Sequence, residues 1–391
     1  MFTLHRIHLD WNATTPLRIE ARAAMQAAFE LGNPSAVYAE GRKARGAVER
    51  ARLQVAAAVG ARPQDVIFTS GGTEANGLAL TPSLNNSCQA HDRVLVSAIE
   101  HPSVRAGGLY PPAQVTEIAV TRSGLLDLDH LQALLAAAGP ALVSVMLANN
   151  ETGVIQPIAK IAELVHGAGG LLHVDAVQAF GKIAFSIGEL QADWLTLSAH
   201  KIGGPKGVGA LVLAPGRMPP GPLLRGGGQE QGRRAGTENV IGIVGFGAAA
   251  EAAIASRESD MERVGTLRDQ LEQALRQIPG TEVIADQQPR LPNTTLVACP
   301  GLKAETTVIS FDLAGIAVSA GSACSSGKVE ASHVLQAMKL EPELARSAIR
   351  ISLGWQTCAD DVDRCAEVWR KLSGTLATGG HENYAEARNR A

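Results

Sequence analysis

The chain has few cysteines and no CxxC pair. Five are spread over 391 residues, Cys88, Cys299, Cys324, Cys358 and Cys365. Their odd number and scattered spacing argue against a disulfide framework or a zinc site and fit a reducing cytoplasm. Charge of one sign is missing as well: 35 Lys and Arg against 38 Asp and Glu leave a formal net charge of -3, so no field gathers a polyanion and nucleic-acid binding is not expected. No apolar run approaches the ~18 residues of a membrane span. The start, "MFTLHRIHLDWNATT", has neither the apolar core of a signal peptide nor the Arg- and Ser-rich character of a transit peptide. A soluble cytoplasmic protein without a membrane partner is expected. Absent too are G-x-x-x-x-G-K-[ST] and a strand-following G-x-G-x-x-G, which excludes the common nucleotide-binding loops.

What is present is an ordinary globular composition, 46% hydrophobic and 19% charged, in a chain longer than one core usually supports, so two domains are expected. From about Leu17 to Gly60 the pattern is Ala-rich and helical. Seven strand-like runs follow, "DVIFT", "RVLVSA", "QVTEIAV", "ALVSVMLA", "LLHVDA", "DWLTLSA" and "GVGALVLAP", with amphipathic helical segments between some of them. That alternation predicts an α/β protein with a mostly parallel sheet covered by helices. The Gly- and Pro-rich "PGRMPPGPLLRGGGQEQGRRAG" reads as an irregular loop, and "ENVIGIVG…ALRQI" as one or two long helices. Beyond a boundary near Ser256 the strands are fewer and shorter, the pattern of a smaller α+β domain. The end, "GGHENYAEARNRA", reads as a polar tail.

Ligands of open parallel sheets bind beyond the carboxyl ends of strands, and there the polar residues gather. Ser70-Gly71-Gly72-Thr73 follows the first run, where small residues before a helix let its free N–H groups meet a phosphate or simply make a turn with Thr73 as a cap. Glu100-His101 follows the second, and Asn149-Asn150-Glu151 the fourth. Asp175 closes an otherwise apolar run, where an ionised carboxylate requires a cation: an arginine, or a protonated pyridine nitrogen, since pyridoxal phosphate chemistry needs an acidic partner that keeps the ring cationic. Lys201, in "SAHKIGGPKG", lies one strand later and suits a covalent anchor. Ser198 and His200 beside it suit a phosphate.

The ordered set "LDWNATTP", "GNPSAVYAEGRKAR", "FTSGGTEANGLAL", "EHPSV", "NNETGVIQPI", "HVDAVQ", "SAHKIGGPKGVG", "GGGQEQGRRAGTEN", "AGSACSSG" and "IRISLG" resembles the cysteine desulfurases of the NifS/IscS type, pyridoxal phosphate enzymes of fold type I within the class V aminotransferases. The resemblance implies a large domain with a seven-stranded sheet over 16–255, a small domain over 256–391 that carries a catalytic cysteine loop, and an arm over 1–15 that packs with the small domain. It implies Lys201 as the covalent anchor, Asp175 as the partner of the pyridine nitrogen and His101 as the residue on the ring that also moves protons. Gly72, Thr73, Ser198 and His200 match phosphate contacts, Asn150 and Gln178 residues near the ring hydroxyl, and Thr237 a phosphate contact given to the other subunit of a homodimer. Arg350 matches the arginine that pairs the substrate carboxylate, with Asn150 beside it.

Cys324 sits in "SAGSACSSG", a run too small and flexible to be good core, and resembles the nucleophile that takes sulfur from L-cysteine and holds it as a persulfide for an acceptor protein, an iron–sulfur scaffold or a tRNA-thiolation carrier. Three positions depart from the family pattern: Trp11, Ala199 and Trp355. The alternatives kept are a selenocysteine lyase or another class V enzyme of the same cofactor.

Overall fold

A two-residue strand, β1 (Ile7–His8), opens the regular structure, and the seven apolar runs after it form one sheet: β2 (Val66–Thr69), β3 (Val94–Ser97), β4 (Val115–Ile118), β5 (Leu142–Met146), β6 (Leu171–Asp175), β7 (Trp194–Ser198) and β8 (Gly209–Leu213). These belong to a computed structural model that describes residues 6–82, 92–321 and 332–377; Cys88, Cys324 and the polar tail lie outside the described residues. The order in space is β2-β8-β7-β6-β5-β3-β4. β8 runs antiparallel to both neighbours and the remaining pairs are parallel. Apart from β4, at the edge, every residue of these strands is buried, as parallel strands covered on both faces must be.

Helices α1 (Ile19–Ala27), α2 (Ala39–Ala58), α3 (Gly72–Ala79), α4 (Pro102–Arg105), α5 (Leu128–Ala138), α6 (Ile158–Gly167) and α7 (Val240–Arg276) supply the cover. On one face Val48 and Val55 of α2, Ile161 and Val165 of α6 and Phe246 of α7 pack with Leu95, Val143, Val174 and Leu197. Phe246 is fully buried and meets Phe68 and Phe180 edge-on, centroids 6.3 and 6.4 Å away, which contributes about 2–3 kcal/mol by burial alone. On the other face Leu78 of α3 and Val104 of α4 close over Ile67, Val96 and Leu211.

α7 is one unbroken helix of 37 residues and passes through Ser256. Its first part, including Ile243, Phe246 and Ala253, belongs to the large core; Val264, Leu267, Leu271 and Leu275 belong to a second core with Leu9, Phe311, Ile351 and Trp369. Among the described residues it is the one helix long and apolar enough to cross a membrane by length and composition, and half of its most apolar stretch is buried within the fold. A core helix packed against a sheet meets the same test.

The second core backs an antiparallel sheet of β9 (Glu282–Val283), β10 (Thr294–Ala298), β12 (Ser319–Ala320) and β13 (Ile349–Ser352), in the order β12-β13-β10-β9. β11 (Ile316–Ala317) pairs in parallel with β1, so the N-terminal arm is tied to this smaller unit before the chain enters the large one. Two of the family departures, Trp11 and Trp355, touch each other: their rings pack edge-on at 4.6 Å, and the Arg18 guanidinium lies 4.1 Å from the Trp355 centroid. The Trp11 ring stands where a Cβ at Gly354 would go, so residue 354 must be glycine for the pair to fit.

Candidate active site

Parallel strands bring their carboxyl ends to one edge of the sheet. Residues at or just beyond the ends of β2 (Gly72, Thr73), β3 (His101), β5 (Asn150), β6 (Asp175, Gln178) and β7 (Ser198, His200, Lys201) line one cavity of about 200 Å³. Nine residues singled out in the sequence meet there. A larger hollow of about 400 Å³ lies between α2 and the loop 228–238. Its most buried charges are already paired, Arg52 with both oxygens of Glu230 at 2.7 and 2.8 Å, and it offers no comparable set of reactive groups.

Asp175 forms the floor of the cavity. Asn76 Nδ2 donates to its Oδ2 at 2.8 Å and the Val177 backbone N–H to its Oδ1 at 2.9 Å. Among the described residues no arginine forms an ion pair with it, so the arginine salt bridge that the sequence left open is not made. Burial raises its pKa, opposed by the hydrogen bonds from Asn76 and Val177 and by His101 and Lys201 nearby. A buried carboxylate in such a place calls for a cation within the cavity.

His101 caps α4, its Nδ1 accepting from the Ser103 backbone N–H at 3.2 Å. Burial lowers its pKa, against Asp175 and with Lys201. His200 follows β7 with its Nδ1 3.2 Å from Thr14 Oγ1, and burial, together with Lys201 and Lys206, lowers its pKa to about 4; both rings are held neutral at physiological pH. Gly72 opens α3 with its N–H groups at the cavity. A Cβ there would lie 3.1 Å from Val177 Cγ2 and 3.5 Å from Ser198 Cβ, so glycine lets the helix start sit close against β7.

Lys201 Nζ donates to the backbone carbonyls of Asn12, at 2.5 Å, and Ala13, at 2.8 Å. The Asn12 carbonyl also accepts from Gln178 Nε2 at 3.0 Å, and its side-chain Oδ1 from Lys182 Nζ at 2.8 Å. Lys182 Nζ reaches Gln178 Oε1 at 2.9 Å as well; burial drives its pKa well below the ordinary lysine value, helped by Lys201 and Arg350. Asn12 Nδ2 closes the network onto the Asn150 carbonyl and Thr294 Oγ1. None of Asn12, Asn76, Ser103 and Lys182 stood out in the sequence, although Asn12 lies inside "LDWNATTP" and Lys182 stands one helical turn after Gln178.

Arg350, on β13, approaches from the smaller unit. Nη1 donates to the Asn150 carbonyl at 3.0 Å and Nη2 to Asp10 Oδ1 at 2.6 Å, while the buried Nε has no partner among the described residues. Thr237 is exposed and does not line the cavity of its own chain. Cys324, the expected nucleophile, lies outside the described residues.

A helix-covered sheet with a lysine and a buried carboxylate at its carboxyl edge is an α/β enzyme fold of type I. The profile Aminotransferase class-V matches residues 7–365, and the chain belongs to that family. It is 45% identical over 373 residues to a cysteine desulfurase of Cereibacter sphaeroides, covering 93% of this chain and 95% of that one. The NifS-like protein of Rickettsia africae ESF-5 superposes with a TM-score of 0.85 at 36% identity, covering 95% of this chain and all of that one. A structure titled SspA in complex with cysteine matches with a TM-score of 0.74 at 28% identity, over 90% of this chain and 100% of that one.

Proposed function

We infer that this chain is a cysteine desulfurase: it converts L-cysteine to L-alanine and keeps the sulfur as a persulfide on Cys324 for transfer to an acceptor protein, in iron–sulfur cluster assembly or tRNA thiolation. The observation that carries this reading is that Lys201 and the buried Asp175 line the same cavity, with Arg350 bound to the carbonyl of Asn150 at its margin.

Pyridoxal 5'-phosphate fits the residues present. Asp175 needs a cation, the orphaned Oδ1 of Asn76 is a buried acceptor in the cavity wall, and the start of α3 with Thr73, Ser198 and His200 offers a phosphate cradle. When bound, the cofactor supplies an electron sink for the charge left at the substrate Cα.

The remaining work belongs to the chain. Lys201 would anchor the cofactor and would carry the Cα proton at Nζ; the carbonyls of Asn12 and Ala13 hold that nitrogen in place. Asp175 would keep the cofactor's ring nitrogen protonated, Asn150 and Gln178 would hold its hydroxyl, and His101 would stand against the group and take part in proton handling. Arg350 binds the substrate carboxylate through a planar fork. The Cys324 thiolate attacks the substrate sulfur, the C–S bond breaks, its electron pair remains on the substrate carbon and is protonated, and alanine leaves with one sulfur retained on Cys324. Thr237, exposed and away from its own cavity, suits a phosphate contact to a second copy in a homodimer. A reducing cytoplasm suits the chain, whose described cysteines Cys299, Cys358 and Cys365 are free thiols.

A single-turnover reaction with L-cysteine tests the reading, with alanine quantified and each cysteine examined by mass spectrometry. Stoichiometric alanine with one added sulfur on Cys324 is expected, and Cys324→Ala should keep the cofactor colour but form no persulfide. A coloured protein that releases no alanine would overturn the substrate, and full turnover by the variant would remove Cys324 as the nucleophile.

A further inference from the structure

One amide joins the floor of the cavity to its imidazole. Asn76 Nδ2 donates to Asp175 Oδ2 at 2.8 Å and to Ser103 Oγ at 3.0 Å, and Ser103 Oγ lies 2.8 Å from His101 Nδ1. The directions of these bonds follow from one another. An ionised carboxylate only accepts, so Asn76 turns its NH2 toward Asp175. The same NH2 then makes the Ser103 oxygen an acceptor, and the one hydroxyl hydrogen is left to go to His101. The Ser103 backbone N–H points at the same ring nitrogen from 3.2 Å. With two donors on Nδ1 that nitrogen carries its lone pair, and the ring proton of the neutral imidazole sits on Nε2. Among the described residues Nε2 has no hydrogen-bond partner, and His101 lines the cavity.

We propose that Asn76 and Ser103 are positioning residues that fix His101 as the tautomer protonated on Nε2, so that its ring meets the occupant of the cavity as a hydrogen donor and does not serve as the base for the attacking thiol. This deepens the desulfurase reading and rests on it for the identity of the occupant; the tautomer itself is a property of the chain. Burial keeps the ring neutral, and with the Nδ1 lone pair engaged by Ser103 the ring can donate a hydrogen bond from Nε2 but has no free lone pair to take a proton. The proton of Cys324 then leaves to another acceptor, either solvent or the substrate amine.

The test is the ¹⁵N spectrum of the histidine rings in the holoenzyme and in the cofactor-stripped protein, with His101 assigned by loss of its signals in His101→Gln. The wild type should show the proton on Nε2 in both forms. Ser103→Ala should shift the ring toward a mixture of tautomers and lower kcat about tenfold with KM unchanged, a part of what a positioned hydrogen-bond donor contributes, and Ser103→Thr, which keeps the hydroxyl, should restore both. A wild-type ring protonated on Nδ1 overturns the proposal, as does a Ser103→Ala ring with unaltered tautomer. Missing alanine release beside an intact Nε2 tautomer would instead count against the substrate.

Discussion

The cavity and the seam beside it differ in construction. The floor, from Gly72 through His101 to Asp175 and Lys201, is made by residues at or just beyond the ends of strands of one sheet, while a seam beside it is made where Asn12 of the arm meets Lys182 of the large unit and Thr294 of the small one, and where Asn12 and Arg350 share the carbonyl of Asn150. Floor contacts such as Val177 to Asp175 span two residues and Asn76 to Asp175 99; seam contacts such as Asn12 to Thr294 span 282 and Arg350 to Asp10 340. The floor holds reactive groups in place. The seam holds the two units together around the amine of Lys201, and its buried polar atoms are satisfied only when arm, large unit and small unit are all docked.

The sharpest break in the comparison is a floor change that leaves the seam intact. Asp175→Asn keeps the shape and one carbonyl oxygen for its donors but removes the charge, so stability should hold in a denaturant titration while kcat for L-cysteine falls by at least about a hundredfold, as expected when the charge that keeps an electron sink protonated is lost. A variant that retains wild-type kcat would remove Asp175 from the chemistry.

The seam should fail in the other order. Asn12 is fully buried, and Asn12→Ala removes one partner each from Lys182 Nζ, Asn293 Nδ2 and Thr294 Oγ1, which keep Gln178, Leu353 and Asn293 as partners, so the loss is about 1 kcal/mol for each hydrogen bond. The unfolding midpoint should drop by an amount equivalent to about 3 kcal/mol, with cofactor binding weakened in proportion. Because the lost contacts couple the units, the transition should also broaden or split. A single transition at the wild-type midpoint would show that the seam carries no stability.

This difference in construction explains what was legible. Strand runs and the polar residue after each one are adjacent in sequence, so the seven-stranded sheet and nine residues of the cavity could be read from the chain. α7 could not be resolved into one helix or two, since Gly245, Gly247 and Gly265 are weak helix formers that packing overrides. Asn12, Lys182 and Asn76 carried no local signal: a buried asparagine looks like a turn residue until its partners from distant segments are in place. The touching pair Trp11 and Trp355 makes the same point, two departures 344 positions apart that make physical sense only together.

Titration separates sheet and seam most finely, because the two carry buried groups of opposite sign. In the sheet, His173 lies between Ser144 Oγ at 2.8 Å and Thr196 Oγ1 at 2.9 Å, and burial lowers its pKa to about 3. Its contribution is present above the ordinary histidine value near 6.5 and is lost as pH falls toward 3. At the seam, Glu151 accepts from Ser332 Oγ at 2.5 Å beside Arg350, and burial raises its pKa to about 7, against Ser332 and Arg350. A raised carboxyl works the other way: its contribution is full below about 4.5 and is lost as pH rises through 7. Acid therefore weakens the sheet, and a rise from about pH 4.5 to 7 weakens the seam. Glu151→Gln should gain stability relative to the wild type between pH 4.5 and 7, by on the order of 3 kcal/mol, and hold a constant difference above pH 8, read from denaturant midpoints at each pH. A difference independent of pH would mean that Glu151 is ionised throughout and that Arg350 compensates its charge in full.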